Sequence, residues 1–126
     1  MNDELTGRII GCAMKVHRTL GPGFLESVYQ RALQYELTKA GLNVTCERPV
    51  AVFYDGVEVG RFSPDLLVEE RVVIELKGVE HLSKAHEVQT VNYLTATGLD
   101  IGLLINFGAD SLEFKRKFRR RPGRQD

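Results

Sequence analysis

Pro64-Asp65-Leu66-Leu67-Val68-Glu69-Glu70-Arg71-Val72-Val73-Ile74-Glu75-Leu76-Lys77 is the stretch on which the reading of the whole chain turns. Side chains alternate faces along a β-strand, so Glu75 and Lys77 share one face and Leu76 takes the other. The run from Arg71 to Lys77 is otherwise almost wholly apolar, as in a strand buried on both faces. An ionised carboxylate there is costly unless it is paired or holds a cation. Residues 61–68 read as the preceding strand, with Glu69-Glu70-Arg71 as the connection. Folding that connection into a hairpin sets Asp65 level with Glu75, so that two carboxylates can share one divalent ion beside an ammonium. The competing reading is a half-exposed hairpin carrying three surface charges.

The remainder of the chain supplies the context. Residues 4–20 place Leu5, Ile9, Ile10, Ala13, Met14, Val16 and Leu20 near helical spacing, and Gly21-Pro22-Gly23 ends that helix. A second amphipathic helix is expected from about 24 to 40, with Phe24, Leu25, Val28, Tyr29, Ala32, Leu33 and Leu37 as its apolar stripe and Gly41 as its stop. Strands are expected over about 45–54, 57–68 and 71–77, the first two joined by an Asp55-Gly56 hairpin turn. A third helix spans about 83–97 between Ser83 as N-cap and Gly98. Residues 100–107 form an apolar strand. The alternation over 111–119 sets Leu112, Phe114 and Phe118 against Glu113, Lys115 and Lys117. The order ααβββαββ implies an α/β fold with a mixed β-sheet flanked by helices and the third helix as a crossover.

With 126 residues the chain has the size of one domain, here taken as residues 1–120. No apolar run approaches the roughly 20 residues of a membrane span. Cys12 and Cys46 lack zinc or CxxC spacing, and His17, His81 and His86 lack ligand spacing. A reduced, cytoplasmic setting without membrane association is expected. The formal net charge is zero, yet seven of the 17 Lys and Arg residues fall in 113–126, leaving ten basic against fifteen acidic residues in the rest. That basic end suits an arm that contacts phosphates, or a solvated terminus; residues 121–126 are expected to be a disordered basic tail.

Two further groupings bear on chemistry. Gly23-Phe-Leu-Glu26-Ser-Val-Tyr29 sets Glu26 and Tyr29 on neighbouring parts of one helical face, where Glu26 is equally placed as a first-turn acid favoured by the helix dipole. Gln89 and Tyr93, four apart, share a face of the third helix, aimed at the end of the sheet. A solvent-facing Gln and a core Tyr would have the same spacing.

Taken together, these residues resemble the PD-(D/E)xK nuclease superfamily, with its restriction-endonuclease-like core, and within it the small group named for its GxxExxY motif. The resemblance covers residues 5 to about 118. It implies that Asp65 and Glu75 bind Mg²⁺ or Mn²⁺, with the Leu76 backbone carbonyl as a further ligand, and that Lys77 positions or activates the attacking water. Glu26 would complete the acidic cluster or assist a second ion. Gln89 and Tyr93 match a Q-xxx-Y pattern that lines the site in the recombination-exonuclease branch, and Tyr29 joins them as a substrate-side residue. Glu80 and His81 fall near the mouth without a role fixed by the motif. The implied activity is hydrolysis of phosphodiester bonds in DNA or RNA. The alternatives are a catalytically silent module that binds nucleic acid and one that binds protein. A homo-oligomer stays open.

Overall fold

The computed structural model describes residues 3–120. Two helices open the chain, α1 (Asp3–Leu20) and α2 (Glu26–Lys39), and five short strands follow: β1 (Val44–Cys46), β2 (Val50–Tyr54), β3 (Val57–Phe62), β4 (Leu66–Val68) and β5 (Val72–Lys77). Then come α3 (Lys84–Thr97), β6 (Ile101–Asn106) and β7 (Glu113–Phe118). Five strands form one sheet in the order β1-β4-β5-β6-β7, while β2 and β3 form a separate two-stranded hairpin. The β5–β6 pair is parallel and joined through α3, and the other pairs of the main sheet are antiparallel. The mixed sheet flanked by helices, with α3 as its crossover, is the fold class expected from the sequence.

The strand count differs from that expectation. Two of the three early strands are each broken in two. After Cys46 the chain turns at Glu47, whose φ is 52°, and Pro49 cannot donate to a ladder, so residues 44–46 and 50–54 join different sheets. The second break falls at Ser63-Pro64, between β3 and β4. The Asp55-Gly56 turn does join β2 to β3, with φ of 53° and 77° at its two central residues, as a type I′ hairpin requires.

A second departure concerns the start of α2. The helix begins at Glu26, so Phe24 and Leu25 precede it and lie exposed, as Val28 does; the expected stripe narrows to Tyr29, Leu33 and Leu37. At the other helix ends, Ser83 caps α3 by accepting from the His86 N–H, and Gly98 closes it in the left-handed region with φ 75°.

Period two decides what each sheet face meets. Leu66, Val68, Val72, Ile74 and Leu76 pack with Leu5, Ile9, Ala13 and Val16 of α1 and Tyr29, Leu33 and Leu37 of α2. Leu67 and Val73 point the other way, toward Leu94 of α3. Gly102 allows that helix to settle on β6, because a Cβ there would press on the Thr90 and Leu94 side chains. Asp65, Glu75 and Lys77 have the parity of Leu67 and Val73, and so belong to the α3 face. None of the described helices is long and apolar enough to cross a membrane. The expected disorder of 121–126 falls outside the described residues.

Candidate metal and phosphodiester site

The register of β4 against β5 pairs Leu66 with Ile74, which carries Asp65 opposite Glu75 one step beyond the last ladder pair. Two hydrogen bonds replace the ladder at that step. The Asp65 N–H donates to Glu75 Oε2 at 3.1 Å, and the Leu76 N–H donates to Asp65 Oδ2 at 2.7 Å. Each carboxylate is thereby fixed by the backbone of the other strand. In a strand the N–H and C=O of one residue point to the same edge. The Leu76 carbonyl therefore faces the Asp65 side, while the next carbonyl, that of Lys77, accepts from Phe107 N–H on the β6 side at 2.9 Å.

Burial gives this pair its electrostatic character. Glu75 is only 6% exposed, and burial together with the negative charge of Asp65 pushes its carboxyl up to about 8. Burial also raises the Asp65 carboxyl, opposed by the Leu76 N–H and helped by the charge of Glu26. The Lys77 ammonium is near enough to both to favour their ionised forms, yet neither carboxylate makes an ion pair with it or with any other described base.

These groups fit a hard divalent cation. A buried and a half-buried carboxylate that repel each other, next to a strand carbonyl without a ladder partner, are a donor set that a cation would relieve. Among the described residues no three His, Cys, Asp or Glu side chains form a ready-made cage. Mg²⁺ is ordinarily held by one or two carboxylates, with water and substrate phosphate filling the remaining positions.

Glu26 reaches the same end of the sheet from the opposite face. It opens α2, its Oε2 accepts from Gly78 N–H at 3.0 Å, and its charge raises the carboxyls of both Asp65 and Glu75. On the α3 side, Tyr93 is hydrogen-bonded to Gln89. Its phenol is raised by burial and then by the charges of Glu75 and Asp65. Tyr93 stacks on Phe62 of β3, with ring centroids 4.0 Å apart and planes 8° from parallel. The hairpin is thus tied to the rim of the site. Asp65, Glu75, Lys77, Glu26, Gln89 and Tyr93 therefore gather around the C-terminal end of β5.

Tyr29 does not join them. It is fully buried, stacked on Phe107 at 4.6 Å. Its hydroxyl donates to the Gly21 carbonyl and accepts from Phe24 N–H. With no exposed surface it cannot touch a substrate, which corrects the expectation from the sequence. Its work is to clamp the 21–24 turn, where Gly23 has φ 111°, so that α2 starts with Glu26 facing the site. Glu80 and His81 lie exposed and line a different cleft, with Asp110 and Glu113.

One residue was missed from sequence. Gln30, 9% exposed, sets Nε2 at 2.9 Å from the Asp65 carbonyl, 3.0 Å from Glu47 Oε2 and 3.0 Å from Cys46 Sγ. It joins α2 to the backbone of Asp65 and brings Glu47 close enough for its charge to act on the Asp65 carboxyl. The only signal available was its position one helical turn after Glu26 and beside Tyr29.

Comparison with known proteins agrees with this fold. No curated protein matches the chain in sequence. In fold it is similar to the crystal structure of SSO0001, with a TM-score of 0.58 and 16% identity over 76% of this chain and 51% of that one. It is also similar to the alkaline exonuclease LHK-Exo from Laribacter hongkongensis, with a TM-score of 0.54 and 16% identity over 75% of this chain and 55% of that one. At such identity the likeness is one of fold, and the chain spans about half the length of each structure. Residues 3–120, nearly the full sequence, match the profile of a nuclease family. The chain belongs to the PD-(D/E)xK nuclease superfamily.

Proposed function

We propose that this chain is a divalent-metal-dependent nuclease of the GxxExxY group, hydrolysing phosphodiester bonds of DNA or RNA with residues 1–120 as its single catalytic domain. One observation carries this reading. Asp65 and Glu75 lie opposite each other on one sheet face, cross-linked through backbone N–H groups, with Lys77 two residues further along the same face. Membership of a nuclease superfamily supports it.

Asp65, Glu75 and the Leu76 carbonyl would hold Mg²⁺ or Mn²⁺, which when bound supplies a Lewis acid for the phosphoryl group and an activated water. The chain's own residues do the rest. Lys77 orients the water for attack opposite the leaving oxygen and offsets the negative charge that grows on the phosphate. Glu26, fixed by Gly78 N–H, adds a carboxylate at the rim that can hold a second water or ion. Gln89 and Tyr93 present an amide and a phenol toward the carboxylates, where they position the scissile phosphate.

The test is cleavage of single-stranded and duplex DNA and RNA by the purified protein with Mg²⁺ or Mn²⁺. EDTA and an Asp65→Asn protein serve as controls. Metal-dependent cleavage that disappears in Asp65→Asn supports the reading. A folded protein that binds metal and cleaves none of these substrates makes it a silent binding module.

A further inference from the structure

The hairpin of β2 and β3 stands apart from the main sheet, and one ring contact ties it to the candidate site. Directly paired residues share a face, so Val50, Val52 and Tyr54 of β2 lie with Phe62, Gly60 and Val57 of β3. Ala51 and Phe53 take the other face with Arg61 and Glu58, whose side chains are ion-paired at 2.8 Å. The first face carries no charge. Its root, Val50, Val52 and Phe62, is half-buried, whereas Tyr54 and Val57 beside the turn are exposed. A two-stranded hairpin is marginal in water unless it packs on another element. Phe62 supplies that packing by stacking on Tyr93 of α3.

The same stack acts on Tyr93. Its hydroxyl is bonded to Gln89 and lies within electrostatic reach of Glu75 and Asp65. Gln89 is exposed and sits on the same helix, so that bond alone lets amide and ring swing together. A long side chain in a helix has two open χ1 rotamers, and contact with another element selects between them. Phe62 makes that contact from outside the helix, with 4.0 Å between ring centroids and planes 8° apart. Phe62 is also three residues from Asp65, with the buried Pro64 between them. Proline fixes its own φ and restricts the residue before it, here Ser63. The ring that orients the phenol and the carboxylate beside that phenol thus belong to one short, stiff segment. Asp65 does not depend on the ring, because its N–H, C=O and carboxylate are bound by Glu75, Gln30 and the Leu76 N–H.

We propose that Phe62 is a positioning residue for the phosphodiester chemistry: its stack holds the Tyr93 hydroxyl beside the Asp65–Glu75 pair, and the β2–β3 hairpin is the arm that carries it there. The phenol O–H donates to an oxygen of the scissile phosphate. Phe62 touches neither substrate nor metal, and its effect passes through Tyr93 alone. The catalytic part of this inference rests on the nuclease reading above.

The test begins in EDTA, where cleavage is silent, with the full chain carrying isotope-labelled tyrosine and glutamine. Tyr93→Phe assigns the Tyr93 signals. The wild type should show a nuclear Overhauser contact between the Tyr93 ring and the Gln89 amide. Phe62→Leu keeps apolar bulk at the hairpin root, and so the fold, but offers no flat face; the contact should be lost as the ring leaves its rotamer. Phe62→Tyr, which keeps a flat ring, should retain it. With Mn²⁺ and a nucleic-acid substrate, Phe62→Leu should lower kcat about 10–100-fold, the cost of a misplaced group, and leave the KM for the metal unchanged. Phe62→Tyr should restore the rate. Adding Phe62→Leu to Tyr93→Phe should cost nothing further, because the two residues act as a unit. A Gln89 contact that persists unchanged in Phe62→Leu overturns the proposal, whether or not the wild type cleaves any nucleic acid. So does a double variant whose loss equals the two single losses combined. A wild type that cleaves nothing, with a Tyr93 contact that follows Phe62 as expected, overturns the nuclease reading and leaves the hold of Phe62 on Tyr93 standing.

Discussion

The backbone N–H of Asp65 donates to the carboxylate of Glu75, and the Asp65 carboxylate accepts from the N–H next to Glu75, so each acid is oriented by the strand that carries the other. This reciprocity keeps two like charges together at the end of β4 and β5 where the regular ladder has stopped. It also leaves the second oxygen of each carboxylate available. The arrangement costs stability when both groups are ionised and no cation is present, and that tension governs how the site should respond to metal, to pH and to substitution.

The first expectation separates metal binding from chemistry. Lys77→Ala should lower the cleavage rate by roughly 10²–10³-fold, the usual cost of removing one charge-stabilising donor from a reaction centre. Thermal stabilisation by Mn²⁺ should be preserved, because Lys77 is not a ligand. Asp65→Asn should lose both. Stabilisation of Asp65→Asn by Mn²⁺ equal to that of wild type would move the metal away from Asp65.

The second concerns pH. The Glu75 carboxyl sits at about 8 in the folded protein, against an ordinary value of 4.5. Between those values the folded state keeps a proton that the unfolded chain has released, so stability is full below about pH 4.5 and falls as pH rises toward 8. Each tenfold change in acidity is worth about 1.4 kcal/mol, so the loss amounts to a few kcal/mol. Asp65, raised in the same direction, adds to it. Urea denaturation in EDTA should show this decline, and Glu75→Gln should flatten it, leaving the variant more stable than wild type at pH 8 and similar at pH 5. Mg²⁺ should restore wild-type stability at pH 8 but leave Glu75→Gln unchanged. A wild-type curve that rises from pH 5 to 8 would contradict the burial argument.

Gln30 gives the third. Replacing it by Leu keeps the volume but removes the donor shared by the Asp65 carbonyl and Glu47. The cost should be about 1–3 kcal/mol of stability, that of buried acceptors left unmatched. Metal affinity should fall roughly 10–100-fold, as for other groups that orient a ligand from behind. Titration of Mn²⁺ against both proteins checks it. Equal affinities would limit Gln30 to packing.

What the sequence disclosed and what it hid have a common cause. The period-two run from Val72 to Lys77 and the turn at Asp55-Gly56 are local signals, and local signals gave the face shared by Asp65 and Glu75, the hairpin and the crossover helix. The breaks at Glu47 and Ser63-Pro64 are consequences of sheet membership. Which sheet a strand joins depends on partners far along the chain, so two continuous strands were expected where four exist. Tyr29 shows the same limit at a single residue. Its motif spacing beside Glu26 was legible, but its orientation into the core was set by stacking on Phe107, 78 positions later. Gln30 was invisible because its partners, Cys46, Glu47 and Asp65, lie on two other strands or their ends.

The last expectation tests how the chain is held just beyond Lys77. Asn106, fully buried at the end of β6, accepts from Val79 N–H at 3.0 Å and from Gly108 N–H at 3.0 Å, and donates to the Val79 carbonyl at 2.8 Å. Gly108 lies so close that a Cβ there would run into the backbone of Val79 and Gly78. That backbone cannot yield alone, because Gly78 N–H is also the donor that fixes Glu26. Gly108→Ala should therefore cost about 1–3 kcal/mol by overpacking and displace the Glu26 carboxylate from its place beside Asp65. Cleavage should fall by more than the loss of folded protein explains, with KM for the metal raised. Glu26→Gln in the wild-type background should reproduce the metal effect but not the stability loss. If Gly108→Ala lost stability alone and kept wild-type metal dependence, the Asn106 clamp would be a packing device without influence on the site.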